Sequence, residues 1–250
     1  MLLEQLLSRI NHLINMIDEN VISTVAILKA SEKFRLDWGF DRSENSTDEF
    51  NIGATQAVII KGLVDDQHKV NRIPLGVSEN KLIRSLVDGV IRNSELSITK
   101  LNSIHQAIVE GGGVYRSEHV EIGDSKGSLR FAEPGRIESA LNDLIKWYNA
   151  NKHSPDYHPV ILAAEFHYRI VSIHPYADGN GRLARIVSSS ILLSSRIPPP
   201  VFTEIERKIY IDRLRKADNG DPEGWFLLIG EKVIESLESL LDEIRKDGKL

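Results

Sequence analysis

Apolar residues in this 250-residue chain recur at steps of three and four. That period suits a helix with one buried stripe and fits few other structures. Leu3, Leu6, Ile10, Leu13 and Met16 make the first stripe. Further helices are expected over 20–38 and 55–64, and around Leu82, Leu86 and Val90, with Ser78 placed to cap the last of these. Ser97 caps a helix through Leu101, Ile104 and Ile108, and the glycines at 111–113 end it, because glycine accepts the left-handed backbone found there. More helices are expected through Ile137, Leu141, Leu144 and Tyr148, over 158–173, from about Gly181 to Leu193, over 207–216 and over 221–246. Between Val120 and Phe131 the pattern changes. Two short alternating runs flank Gly123-Asp124-Ser125-Lys126-Gly127, which is the signature of a β-hairpin, and Pro134 closes it. The expected fold class is all-α, a single helical domain with one short hairpin.

Composition narrows the class further. The net charge is −5 with basic residues scattered, so no basic face exists to coat a nucleic acid. A local pocket for one nucleotide is still compatible with that charge. The chain has no cysteine, which removes disulfides, thiolate catalysis and Cys-ligated zinc. Charged residues interrupt the first 20 positions, so no secretory signal is read there, and no run is long enough to cross a bilayer. The expected location is cytoplasmic, with no membrane and no nucleic acid required.

Chemistry concentrates in His174-Pro175-Tyr176-Ala177-Asp178-Gly179-Asn180-Gly181-Arg182-Leu183-Ala184-Arg185, a loop feeding a helix start. Gly-Asn-Gly lets backbone approach a ligand, and the first N–H groups of a helix lack internal partners, so the junction can hold an anion. Arg182 and Arg185, three apart, can fork onto phosphate oxygens. Asp178 offers the hard oxygen that Mg²⁺ prefers. His174 can take up a proton near neutral pH. Each element alone is commonplace, but their assembly within twelve residues is not.

The segment resembles the Fic-family motif His-Pro-Phe-x-Asp/Glu-Gly-Asn-Gly-Arg-x-x-Arg, with Tyr176 in place of Phe. Gly113-Val-Tyr-Arg116, the hairpin and the helix ending in 167–173 are similar to the family's surroundings of that motif. The resemblance implies a Fic-type helical bundle whose hairpin is a flap. It also implies a core domain over 97–225, an N-terminal helical extension over 1–96 packed on that core, and a C-terminal helix over 226–250. The implied activity is that of a protein adenylyltransferase, with His174 as catalytic base, Asp178 holding Mg²⁺, and Gly179, Asn180, Gly181, Arg182 and Arg185 binding ATP. The implied partner is a protein substrate laid along the 120–134 hairpin by strand addition.

Competing readings remain at this point. A family variant could move another group or remove AMP, and a silent module could bind nucleotide without turnover. No clean inhibitory Ser/Thr-x-x-x-Glu motif is found, only weak spacings at Asn45/Glu49 and Ser239/Glu243. His167 sits on an apolar stripe as a hydrogen-bonded core histidine, and His153 and His158 make no zinc pattern. Tyr210 is an aromatic on a helix, with contact to a nucleotide base as an alternative. The stripes at 3–16 and 233–244 read as internal packing, with a contact between two copies as the alternative.

Overall fold

The computed structural model describes residues 2–18, 95–109, 111–124, 127–195, 197–202 and 204–246. The helices expected over 20–38, 55–64 and around 82–90 lie outside these residues, as does the Asn45/Glu49 spacing. Seven helices are described: α1 Leu2–Asp18, α2 Ile98–Ile108, α3 Ile137–Asn151, α4 Pro159–Ile173, α5 Asn180–Ser194, α6 Arg207–Asp218 and α7 Glu223–Lys246. Two strands, β1 Glu121–Asp124 and β2 Gly127–Arg130, pair antiparallel with Glu121 opposite Arg130.

The most apolar helix lies at the centre. α4 packs against α5, α3, α7 and α6, burying Val160, Ala163, Ala164, Phe166, Ile170 and Ile173. Its small residues let a large neighbour approach, and Trp225 of α7 is fully buried there with its indole N–H donating to the Ala164 carbonyl at 2.8 Å. Helix starts follow the local chemistry. The Ser97 hydroxyl accepts from the Lys100 N–H. His158 caps α4 through Nδ1, which accepts from the Val160 N–H, and Pro159 takes the first helical position, where a missing N–H costs nothing.

The amphipathic stripes at the two ends of the chain account for one another. α1 packs on α7, and Ile10, Leu13 and Ile17 join Val233, Leu237, Leu240 and Leu241 in one buried cluster. Gly230 makes the approach close, since a Cβ there would meet a Leu6 methyl at 2.1 Å. Arg9 and Glu238 close the edge of this contact with an ion pair. Both stripes are therefore used inside the chain. No helix among the described residues is long and apolar enough to cross a membrane.

This packing positions one junction. α4 ends and α5 begins at the same end of the central layer, α2 packs along α5, and the hairpin root meets the turn between α4 and α5.

Candidate functional site

The turn begins at a conformational exception. His174 ends α4 with φ 49° and ψ 60°, and it is the one non-glycine residue at positive φ among those described. Left-handed backbone costs an ordinary side chain about 1–2 kcal/mol. Pro175 cannot continue the helix, so the chain must leave here.

Arg116 secures that exit. Its side chain is buried and donates only to carbonyls: Nε to His174 at 2.7 Å, Nη1 to Glu118 at 2.7 Å, and Nη2 to Ala132 with a longer contact to Ile173 at 3.5 Å. The Arg116 N–H adds a bond to the Pro175 carbonyl. The last carbonyls of a helix lack internal partners and carry its negative dipole end, so a cation is the suitable cap. One guanidinium thus ties the end of α4 to both roots of the hairpin.

The His174 imidazole stacks on Phe131, just after β2, with ring centroids 4.1 Å apart. Burial first, and the nearby Arg116 charge second, push its pKa down to about 4, against opposing pulls from the Val171 carbonyl and Asp178. Nδ1 is buried without a partner in full hydrogen-bonding geometry. The ring is therefore a neutral base at physiological pH.

Beyond Pro175 the loop closes on itself. Asn180 is buried, and its amide takes both backbone groups of Tyr176, accepting from the N–H at 3.0 Å and donating to the carbonyl at 2.8 Å. Its side chain is a clasp, so only its backbone is available to a ligand. The Tyr176 ring is buried, and its hydroxyl donates to Asn102 Oδ1 at 2.6 Å. The oxygen that Tyr adds to the motif's Phe thus finds a partner on α2.

Asp178 stands at the mouth, with its side chain 79% exposed, and its carboxylate receives Arg182 Nη2 at 2.9 Å. Arg182 also donates to the Ile108 carbonyl at the end of α2. Gly179 has φ +76°, and a Cβ there would meet a Val109 methyl at 2.5 Å and His105 Nε2 at 2.9 Å. Backbone conformation and space both demand glycine at this position. Arg185 folds back along α5, with Nη1 3.4 Å from where a Gly181 Cβ would lie, and borders a small cavity with His167, Ser188 and Phe202. The seven candidate residues therefore gather in one place: imidazole at the entrance, carboxylate at the lip, glycines at the start of α5, and both guanidiniums beside that start.

A Mg²⁺ ion can be tested against these residues. No three His, Cys, Asp or Glu cluster among the described residues to cage a metal, whereas Mg²⁺ is commonly held by one or two carboxylates together with substrate phosphates. The exposed Asp178 carboxylate beside the start of α5 fits that mode of binding.

Three contributors were not visible as site residues in the sequence: Arg116, Asn102 and His105. Burial lowers the pKa of His105, and its ring stacks flat on Tyr176 at 3.7 Å. His167, by contrast, is the core histidine expected, with Nδ1 at Ser188 Oγ and Nε2 at the Tyr210 hydroxyl. Tyr210 is buried against His167, Phe202 and Trp225, which accounts for that aromatic without a ligand.

Comparison with known proteins locates similarity in the same segment. Residues 95–192 match the Fic/DOC family model. The chain is 29% identical over 163 residues to protein adenylyltransferase Fic of Aedes aegypti, covering 61% of this chain and 30% of that one. It is 28% identical to the protein of the same name from Drosophila ananassae, over 61% of this chain and 31% of that one. The chain thus spans under a third of the length of these relatives. Among solved structures, a Fic-domain signalling protein of Bacteroides thetaiotaomicron superposes with a TM-score of 0.70 at 20% identity, covering 98% and 97% of the two chains. C. elegans Fic-1 superposes at 0.69 and 20% identity, covering 98% of this chain and 73% of that one. IbpAFic2 in complex with adenylylated Cdc42 superposes at 0.50 and 16% identity, covering 93% and 76%.

Proposed function

Residues 95–192 match the Fic/DOC family model, and from that match we propose that the chain is a protein adenylyltransferase of this family, moving AMP from ATP to a Tyr, Thr or Ser hydroxyl of a target protein. What supports this most directly is the pairing of a neutral imidazole with an anion-binding helix start across one short loop. His174 is pushed down to about pKa 4, so its imidazole is unprotonated at neutral pH, the form a general base requires. The family model matches over the segment that carries these groups, and relatives named as adenylyltransferases match over 61% of the chain.

In this reading His174 removes the proton from the target hydroxyl. The freed oxygen bonds to the α-phosphorus of ATP as the bond to the β-phosphate oxygen breaks, and pyrophosphate leaves. The backbone at Gly179, Asn180 and Gly181 receives the phosphates, with Arg182 and Arg185 beside the outer ones. Asp178 would hold Mg²⁺, and the ion would supply neutralisation of phosphate charge. For Asp178 to do so, Arg182 must share or release the carboxylate it now holds. Catalysis of this kind is mostly positioning and charge stabilisation.

The hairpin is proposed as the flap that takes the target segment by strand addition. The carrier of the activity is proposed to be the 97–225 core, flanked by the 1–96 extension and the C-terminal helix. A cysteine-free chain suits a reducing compartment, and the cytoplasm is the proposed setting.

The test is incubation with α-labelled ATP, Mg²⁺ and cell lysate, followed by mass spectrometry of the labelled protein. Wild type is expected to add AMP to a hydroxyl, and His174→Ala to lose the label while still binding ATP. Transfer of a different mass would indicate a variant that moves another group. Undiminished labelling by His174→Ala would remove this residue from the reaction.

A further inference from the structure

Deep inside the site, His105 touches both sides of the chain that builds it. It projects from α2 and is almost wholly buried. Nδ1 accepts the Gly113 N–H at 2.8 Å, and Nε2 lies 2.8 Å from the Asp178 carbonyl. These two bonds fix the tautomer. A nitrogen that accepts an N–H cannot carry a proton, so the ring proton sits on Nε2 and is donated to the Asp178 carbonyl.

That carbonyl belongs to the peptide between Asp178 and Gly179. A peptide unit is planar and trans, so its C=O and N–H point in opposite directions. Holding the Asp178 oxygen against α2 therefore turns the Gly179 N–H away from α2. Without this anchor the peptide could rotate, since Gly179, at φ +76°, follows either orientation with little steric cost. The fit around the ring points the same way. A Cβ on Gly112 would lie 2.7 Å from His105 Nδ1, and one on Gly179 would lie 2.9 Å from Nε2. Two glycines leave room for this one ring, and the Tyr176 stack fixes its plane.

We propose that His105 is a positioning residue that pins the Asp178–Gly179 peptide so that the Gly179 N–H faces the phosphates of the bound nucleotide. This rests on the nucleotide-binding reading given above. A flipped peptide would present a carbonyl oxygen to the same anion, so the loss would include repulsion as well as one missing donor. His105 takes no part in the reaction itself.

The experiment compares full-length wild type, His105→Phe and His105→Gln for binding of ATP with Mg²⁺ by calorimetry, alongside thermal melting. Phe keeps the stacked ring and loses both polar atoms, whereas Gln restores an amide that can donate to Asp178 and accept from Gly113. His105→Phe is expected to weaken ATP binding by about ten- to hundred-fold, as for a lost hydrogen bond to a charged group. His105→Gln is expected to recover most of that loss, whatever its effect on melting. Should His105→Phe fold and bind ATP within about two-fold of wild type, or a folded His105→Gln bind as poorly as the Phe variant, the inference is overturned. If His105→Phe does not fold, the Gln variant decides the question alone. A wild type that binds no ATP would instead overturn the nucleotide-binding reading, and this inference with it.

Discussion

Replacing Arg116 with Met separates two jobs that one guanidinium performs. Methionine refills most of the buried stem but leaves the carbonyls of His174, Glu118 and Ala132 without their donor. A hydrogen bond to a charged group contributes about 1.5–3 kcal/mol, and recovered hydration of the removed guanidinium offsets part of the sum. A net loss of about 2–4 kcal/mol is expected, which for a domain of this size lowers the melting temperature by roughly 5–15 °C. The second job is electrostatic. The Arg116 charge is the second-largest cause, after burial, of the low His174 pKa, so its removal must raise that pKa. Because the base works only when neutral, a raised pKa moves the acid limb of kcat/KM to higher pH, and kcat/KM reports the free enzyme. Arg116→Lys supplies the contrast, keeping a positive charge without the fork that reaches three carbonyls. It is expected to melt early as well, yet to keep its acid limb near that of wild type. If Arg116→Met leaves the limb in place or shifts it downward, either His174 is not the titrating base or its environment is not the one described here.

Three further outcomes follow from the same contacts. Gly179→Ala must place a methyl 2.5 Å from the Val109 side chain in left-handed backbone; it should cost at least about 1–2 kcal/mol of stability and weaken ATP binding measured by calorimetry, and unchanged affinity would place the phosphates elsewhere. Tyr176→Phe removes the 2.6 Å bond to Asn102 while leaving the ring stack, so urea denaturation should show a loss of about 1 kcal/mol with adenylylation retained; a larger fall in activity than in stability would give the hydroxyl a part in the reaction. His167 is pushed down to about 3 by burial and then by Arg185, whereas the unfolded chain binds that proton near pH 6.5. Its stabilisation is therefore complete above about pH 6.5 and declines by about 1.4 kcal/mol per pH unit as pH falls toward 3. Urea midpoints across that window should fall for wild type and fall less steeply for His167→Asn.

How much of this was legible in the sequence depended on how far apart the partners lie. α2, α3 and α4 were readable because each helix declares its buried stripe locally, and Ser97 declares its own cap. The twelve residues from His174 were readable because backbone freedom, a helix start and charged groups all fall within one stretch of chain. Arg116 and His105 escaped because their partners are remote: the Arg116 bond to His174 spans 58 positions and the His105 bond to Asp178 spans 73. On its own helix His105 is one polar residue beside Ile104. A faint signal does exist in the glycine run at 111–113, of which Gly112 reads from the sequence as no more than part of a helix stop. A stop needs one left-handed residue, whereas Gly112 is required by the ring that fills the space where its Cβ would be. Asn180 has a second part that its place between two glycines does not declare: its side-chain amide holds both backbone groups of Tyr176.

The division between buried and exposed groups follows from what each must do. Every group that sets backbone orientation here is buried: Arg116 at the end of α4, His105 behind Asp178, and Asn180 within the loop. Their partners are mostly peptide groups, which do not titrate, so this frame does not depend on charges that a nucleotide would bring. The Asp178 carboxylate lies outside it, exposed to water, and pairs with Arg182, whose own side chain is largely buried. With its carboxylate solvated, such a pair contributes on the order of 1 kcal/mol, so an arriving polyanion and its counter-ion can displace it. Had the carboxylate been buried against the guanidinium, separating them would have required several kcal/mol from the ligand. The site thus keeps its geometry in buried contacts to peptide groups and leaves the carboxylate that must rearrange in water, where its rearrangement costs little.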